Sequence, residues 1–241
     1  MTPYLDAGPY QQREIPFWSY LDVALLVGLI LPCLLGASVV TQLLAVIIPP
    51  LAQAKVWLSM GLFYVLWFGA LYLVLKVRYY DEPFGRALAW IYPRRGLALA
   101  IFSGPFFAIL MGILGALLRT PMVDLPIKKL LHGQLSLALF GVFSVILGPV
   151  TEELAFRGFF MPLLVRSYGP AAGIVLTAIP FGLLHGAQYG WLWQYIVLVS
   201  AAGALFGVVR QYTGSTLASA AMHSSYNLTF FVAYIFGTAT L

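Results

Sequence analysis

Long runs without a charged residue constrain this chain more than any other feature of its sequence. Residues 167–209 contain no Asp, Glu, Lys or Arg over 43 positions, and residues 23–48 contain none over 26 positions. About 20 apolar residues are enough to cross the hydrocarbon core of a bilayer. Only 9% of the 241 residues are charged, whereas a soluble domain carries about 25%. The sequence therefore predicts an all-α, polytopic transmembrane helical bundle and excludes a soluble enzyme and a disordered chain.

The apolar runs divide the chain into about seven membrane spans. The 43-residue run holds two crossings, which fold back at residues 186–190. An eighth span forms if residues 151–166 enter and leave the membrane separately. We expect residues 1–16 to be a polar tail and residues 17–241 to be a single transmembrane domain. The predicted spans are 23–48, 56–75, 96–118, 134–150, two within 167–209, and 216–236.

The basic residues predict how the chain is oriented. With seven spans, eight Lys and Arg residues fall on the side of the N-terminus and four on the opposite side. Basic residues are enriched in cytoplasmic loops, so this bias places the N-terminus in the cytoplasm and the protein in the cell membrane. The net charge of +5 then reflects contact with the lipid bilayer, and no nucleic-acid partner is expected.

Three groups of polar and ionisable residues interrupt the apolar second half of the chain. Ionisable groups inside a membrane are costly, and they usually face a cavity and mark a functional site. Each group falls on a different predicted helix, and each holds side chains that handle protons, a metal or an oxyanion. The groups are Glu152, Glu153 and Arg157; Phe181 and His185; and His223 and Asn227.

Helical spacing distinguishes the two adjacent glutamates. Glu153 and Arg157 are four residues apart, so they share a helix face in the favourable order for an ion pair. Glu152 lies about 100° around the helix, so Arg157 does not neutralise both carboxylates equally. We expect Glu153 to be paired and structural, and Glu152 to be free to accept a proton as a general base. The alternative is that both glutamates simply mark the end of a span.

Two chemistries fit these residues. In the first, a zinc ion bound by Glu152, His185 and His223 activates water. In the second, no cofactor is needed: Glu152 takes a proton from a water positioned by His185, and His223 and Asn227 donate hydrogen bonds to the oxyanion. Asn is a poor zinc ligand and a good oxyanion donor, which favours the second scheme. Neither the HExxH motif of zinc proteases nor the GxSxG motif of serine hydrolases is present.

The depths of these residues in the membrane do not agree at first sight. His185 lies about 20 Å along its predicted helix and His223 only about 10 Å along the last one. The residues meet only if their helices begin at staggered levels, or if the helix before Glu152 breaks at Gly148-Pro149.

Taken together, the three motifs resemble the CPBP family of intramembrane proteases. That group includes the type II CAAX prenyl endopeptidases and Abi-like relatives linked to bacteriocin immunity. The family pattern EExxxR matches Glu152, Glu153 and Arg157, while FxxxH matches Phe181 and His185, and HxxxN matches His223 and Asn227. The resemblance covers residues 134–236.

The resemblance implies a membrane endopeptidase of the glutamic or metallo type. Its first Glu activates water, its first His assists, and its His/Asn pair stabilises the oxyanion; Glu153, Arg157 and Phe181 have supporting roles. The expected partner is a peptide or membrane-protein substrate. Two alternatives from other classes are a bacteriocin-immunity or binding protein that cuts nothing, and a proton-coupled transporter, although no internal repeat supports the latter.

Overall fold

A computed structural model describes residues 16–79, 83–122 and 133–238. These ranges contain helices and no β-strand, which confirms the predicted all-α fold class. The predicted polar tail, apart from Pro16, lies outside the described residues. Short 3₁₀ turns occur at Pro49–Ala54 and Gly186–Tyr189. The helices are α1 (Tyr20–Ile47), α2 (Lys55–Arg78), α3 (Phe84–Ala87), α4 (Leu97–Leu117), α5 (Gly133–Tyr168), α6 (Pro170–Leu184), α7 (Trp193–Thr213) and α8 (Thr216–Thr238).

Five of the described helices, α1, α2, α4, α5 and α7, are long and apolar enough to cross a membrane. The sequence predicts seven spans, and the two remaining segments fall short for different reasons. Helix α6 is apolar but has only 15 residues. Helix α8 has 23 residues, and polar residues such as His223 and Asn227 lower its mean hydropathy. No separate eighth span forms, because residues 151–166 continue α5 without a turn.

Helix α5 is a single helical run of 36 residues that widens twice. Residues Phe143–Leu147 and Leu154–Phe160 are π-helical and flank the two glutamates. Each π-helical segment ends two residues before a proline, Pro149 or Pro162. Proline lacks an N–H and its ring clashes with the carbonyl four residues earlier, so the turn before it opens. The predicted break at Gly148-Pro149 is therefore a widening of the helix and not an interruption.

The first turn of α1 lies against the end of α5. The Trp18 indole Nε1 donates to the Phe159 carbonyl at 3.0 Å, and the Tyr20 hydroxyl donates to Ser167 Oγ at 2.7 Å. Trp18 also stacks on Phe159, with ring centroids 5.2 Å apart. This contact belongs to a buried core that includes Leu26 and Leu71. The beginning of α1 and the end of α5 thus meet at one end of the bundle.

The segment after α3 supports the beginning of α8. The Thr216 N–H donates to the Ala89 carbonyl at 2.9 Å, and the Thr216 hydroxyl donates to the Leu88 carbonyl at 2.7 Å. Ser215 Oγ donates to the Ile91 carbonyl at 2.5 Å. Because Ser215 and Thr216 are fully buried, α8 begins inside the protein, in contact with the segment that follows α3. The helices therefore start at staggered levels, as the predicted site requires.

Candidate active site

Two antiparallel helices bring the glutamates and His185 to the same level. Helices α5 and α6 are joined at Gly169, whose positive φ of 84° suits a residue without a side chain. Glu153 lies 16 residues before this glycine and His185 lies 16 residues after it. At 1.5 Å per residue, both are about 24 Å from the turn. His223 reaches the same level after only two turns of α8 because that helix begins inside the protein.

Glu152 faces both histidines. Its Oε2 atom lies 3.9 Å from Nε2 of His185 and 3.9 Å from Nε2 of His223. These distances are too long for direct hydrogen bonds and suit a bridging water molecule. The Glu152 side chain is 29% exposed and that of His185 is 24% exposed, whereas that of His223 is only 6% exposed. Glu152 and His185 are therefore the accessible members of the group.

Glu153 is fully buried and accepts hydrogen bonds from three side chains. Arg157 Nη1 donates to Glu153 Oε1 at 2.9 Å, as the four-residue spacing predicts. His223 Nδ1 lies 3.0 Å from the same oxygen, and the Ser219 hydroxyl donates to Oε2 at 2.5 Å. A carboxylate with an arginine and two further donors is compensated in a low-dielectric interior. The carboxylate of Glu153 is thus fully engaged in hydrogen bonds, whereas that of Glu152 has no direct hydrogen bond to either histidine.

Arg157 is fully buried and enclosed by aromatic rings. Its guanidinium carbon lies 4.5 Å from the ring centroid of Phe181, 5.6 Å from that of Phe206 and 5.7 Å from that of Phe156. Nη2 donates to the Gly203 carbonyl at 2.6 Å. Rings at these distances attract a desolvated cation. Phe181 thus contacts the arginine that pairs with Glu153, and it also lies 4.8 Å from the ring centroid of His185.

Hydrogen bonds fix which nitrogen of each histidine carries a proton. His185 Nδ1 lies 2.7 Å from the Phe181 carbonyl oxygen, which only accepts, so Nδ1 carries the hydrogen. His223 Nδ1 faces the Glu153 carboxylate, which also accepts from Arg157, so the same holds there. In the neutral form of each ring, Nε2 then presents a lone pair toward Glu152.

Asn227 lies one helical turn beyond His223 on the same face of α8. Its Nδ2 donates to the Ser144 carbonyl at 2.8 Å, and this carbonyl belongs to the first π-helical segment of α5. An amide nitrogen has two hydrogens, so one remains for a second acceptor. The structure thus brings Glu152, His185 and His223 together, and connects Asn227 to the helix that carries Glu152.

Sequence reasoning missed two residues that hold the site in place. Ser219 donates to Glu153, and the ring of Phe206 stacks on His223 with centroids 4.3 Å apart and an interplanar angle of 19°. Ser219 lies four residues before His223, so its position on the same face was available from the spacing alone. No sequence pattern distinguishes Phe206 from the many other apolar residues in α7.

No group of three or more His, Cys, Asp or Glu residues in the described ranges is arranged to hold a metal ion. Among the candidate zinc ligands, Glu152 Oε2 lies 3.9 Å from Nε2 of His185 and 3.9 Å from Nε2 of His223. Tetrahedral zinc would bring such atoms to about 3.4 Å. Use of the site by zinc would therefore require the side chains to move together.

Comparisons with known proteins match the part of the chain that holds this site. The model of a family described as Type II CAAX prenyl endopeptidase Rce1-like matches residues 134–229. CAAX prenyl protease 2 of Caenorhabditis elegans is 43% identical over 42 residues, which cover 17% of this chain and 16% of that protein. No solved structure matches. The family match contains all three motifs, which confirms the resemblance seen in the sequence: residues 134–229 of this membrane protein are similar to the type II CAAX prenyl endopeptidases of the Rce1-like family.

Proposed function

We propose that this chain is an intramembrane endopeptidase in which Glu152 activates the water that attacks a peptide bond. One observation carries the proposal: Glu152 is partly exposed and faces two imidazole Nε2 atoms at 3.9 Å, while its neighbour Glu153 is buried and fully bonded. A general base must have an uncommitted oxygen within one water of the reacting atom. Of the two adjacent carboxylates, only Glu152 meets this requirement.

Counting donors and acceptors assigns the two histidines different roles. With Nδ1 protonated, a neutral histidine is an acceptor at Nε2. Neutral His185 accepts a hydrogen bond from the attacking water and orients it toward Glu152. His223 takes the opposite role in this scheme: its Nδ1 faces the Glu153 carboxylate, and the scheme uses the ring with a hydrogen on both nitrogens. Its Nε2–H then becomes a donor to negative charge that develops on the substrate.

The reaction follows from these roles. Glu152 takes one proton from water as the water oxygen bonds to the carbonyl carbon, and the carbonyl oxygen becomes an oxyanion. His223 Nε2–H and the free Asn227 amide hydrogen donate to that oxyanion. Glu152 then returns the proton to the leaving nitrogen as the C–N bond breaks, which yields an amine and a carboxylic acid; the acid becomes a carboxylate by releasing the second water proton to solvent. The substrate is a peptide or a membrane-protein segment that reaches the exposed side of Glu152.

A zinc-dependent form of the same protease is the alternative chemistry. Glu152, His185 and His223 would be the ligands, and the ion would supply Lewis acidity toward the water. Glu153 would then be the remaining carboxylate, but Arg157, Ser219 and His223 already occupy it. The metal-free scheme leaves Glu152 free as a base, and for this reason we favour it.

Cleavage by purified protein tests the proposal. Wild type, Glu152→Gln and the control Ser224→Ala are purified in detergent and incubated with two peptide sets, with and without a prenylated C-terminal cysteine. The prenylated set is included because the similar Caenorhabditis elegans protein is a CAAX prenyl protease. We expect cleavage by wild type and by Ser224→Ala, and a loss of about 10²–10⁴-fold in Glu152→Gln, the usual contribution of general base catalysis.

Metal analysis and chelation distinguish the two chemistries. We expect activity to survive chelators and metal analysis to find no stoichiometric zinc. One tightly bound zinc per chain, with both histidines about 2.0–2.1 Å from it, would contradict the metal-free scheme. Peptide binding without cleavage by a folded wild type would contradict proteolysis and support a binding or immunity function.

A further inference from the structure

A cavity lies at the end of the bundle where α5 and α7 finish. Its volume is about 420 Å³, and its lining is partly apolar and partly basic. Met161, Pro162 and Val165 of α5 form an apolar wall, and Arg166 of α5 and Arg210 of α7 border the same space. Arg166 lies 13 residues from Glu153, or about 20 Å along the helix. The cavity is thus separate from the candidate active site.

The two arginines have only uncharged partners among the described residues. Arg166 Nη1 donates to the Pro16 carbonyl at 2.5 Å, and Nη2 lies 3.4 Å from the Trp18 carbonyl. Arg210 Nε donates to the Thr216 hydroxyl at 3.1 Å, and neither of its Nη atoms has a hydrogen-bond partner in the described part of the chain. Two positive charges therefore border one cavity in which no described residue supplies a carboxylate.

The described acids are engaged elsewhere. Asp22 pairs with Arg78, Glu153 with Arg157, and Glu152 faces the two histidines. Charged groups in a membrane protein normally pair with an opposite charge. A basic pocket between transmembrane helices attracts anionic lipid headgroups, and guanidinium groups bind phosphate oxygens through paired hydrogen bonds.

We propose that this cavity binds a phosphate group, and that in the membrane the group is the phosphodiester headgroup of an anionic phospholipid. The apolar wall beside the guanidiniums suits the part of a lipid below its headgroup. The orientation predicted from the basic residues places this end of the bundle in the cytoplasmic leaflet, where anionic lipids concentrate. Because Arg166 lies near the end of α5 and Arg210 near the end of α7, the headgroup would bridge the ends of these two helices and stabilise both by binding.

Lipid binding to the intact protein tests this site. Purified wild type is titrated with phosphatidylglycerol, phosphatidylcholine and inorganic phosphate, while native mass spectrometry counts bound lipid and a thermal melt records stability. We expect wild type to prefer phosphatidylglycerol and to melt at a higher temperature with it. Arg166→Gln and Arg210→Gln should each weaken this binding about fivefold, the contribution of one basic residue near anionic lipid. Arg95→Gln, an exposed arginine outside the cavity, should bind as wild type does.

A second variant keeps both arginines and their structural hydrogen bonds. Gln211→Glu adds a carboxylate to the cavity lining and should abolish the preference for phosphatidylglycerol, whereas the same substitution at Gln188, near the opposite end of α7, should preserve it. Equal phosphatidylglycerol binding by wild type, Gln211→Glu and the arginine variants would overturn the proposal. Stabilisation by inorganic phosphate without lipid binding would overturn the lipid assignment. Glu14 of the predicted polar tail lies outside the described residues, and lipid binding by Glu14→Gln but not by wild type would overturn the proposal.

Discussion

Asp22 in α1 and Glu153 in α5 are both fully buried carboxylates, yet their surroundings differ. Asp22 accepts from the Ser19 N–H and hydroxyl and from the Tyr79 hydroxyl, and its Oδ1 lies 2.6 Å from Arg78 Nε. Arg78 is 40% exposed, whereas Arg157 beside Glu153 is completely buried.

The comparison shows that similar buried carboxylates serve two purposes: one joins two helices, and the other orients a side chain of the proposed active site. At Asp22 the donors join the start of α1 to the end of α2, and solvent reaches the arginine. At Glu153 one donor is His223, whose other nitrogen faces Glu152. The same chemistry, a carboxylate held by arginine and hydroxyl donors, fastens two helices in one region and orients a proposed catalytic group in the other. Loss of a donor should therefore affect stability in both regions and activity in only one.

The largest difference should follow removal of the arginines. Arg157→Ala leaves Glu153 buried and without its cation, which costs about 3–5 kcal/mol of unfolding free energy. Arg78→Ala should cost only about 1 kcal/mol, because solvent screens that pair. Unfolding in mixed detergent measures both values, and peptide cleavage should fall only in Arg157→Ala. Equal stability losses would mean that burial does not distinguish the two pairs.

The second largest effect is expected at Asn227, one helical turn after His223. Asn227→Ala removes one proposed oxyanion donor and should lower turnover by about 10²–10³-fold, the usual result of losing such a contact. Substrate binding should change little, so KM stays near the wild-type value. Thr229→Val is the control, because it removes a hydroxyl on the same helix that donates to the Ser225 carbonyl. A change in KM without a change in turnover would remove Asn227 from the oxyanion site.

The smallest effect compares two hydroxyl donors. Ser219→Ala and Tyr79→Phe each remove one hydrogen bond to a buried carboxylate, at a cost of about 1.5–3 kcal/mol. Thermal melts should shift by similar amounts in both variants. Turnover should fall only in Ser219→Ala, because Glu153 then holds His223 less firmly. A turnover loss in Tyr79→Phe would show that the Asp22 region is coupled to the site.

The motifs and the helical period predicted much of this arrangement. The i, i+4 rule gave the Glu153–Arg157 pair and the shared face of His223 and Asn227, and the apolar runs gave the bounds of most helices to within a few residues. Long-range contacts could not be predicted in this way. The contact of Phe206 with His223 depends on how α7 packs against α8, and no periodicity encodes that packing.

The sequence predicts seven spans, and five described helices are long and apolar enough to cross a membrane by themselves; the two counts differ where local polarity and length compete with burial. Helix α6 is short because Gly169 and His185 bound it, and α8 is polar because it carries Ser219, His223 and Asn227 toward α5. Window hydropathy measures neither the neighbours that cover a polar face nor the level at which a helix begins. The hydrogen bonds between Thr216 and the segment at Leu88 and Ala89 determine that level, and they join residues far apart in the chain.

The two π-helical segments determine which way successive turns of α5 face. In each segment one carbonyl accepts a hydrogen bond from another part of the chain. The Ser144 carbonyl accepts from the Asn227 amide, and the Phe159 carbonyl accepts from the Trp18 indole. Each segment also shifts the direction in which the side chains after it point, relative to those before it, because one residue turns an α-helix by about 100°. The glutamates can therefore face the histidines while the flanking turns present other faces to lipid and to α1. Deleting one residue from either segment would restore a regular helix and rotate the glutamates relative to the turns on one side of them, although every proposed catalytic side chain would still be present.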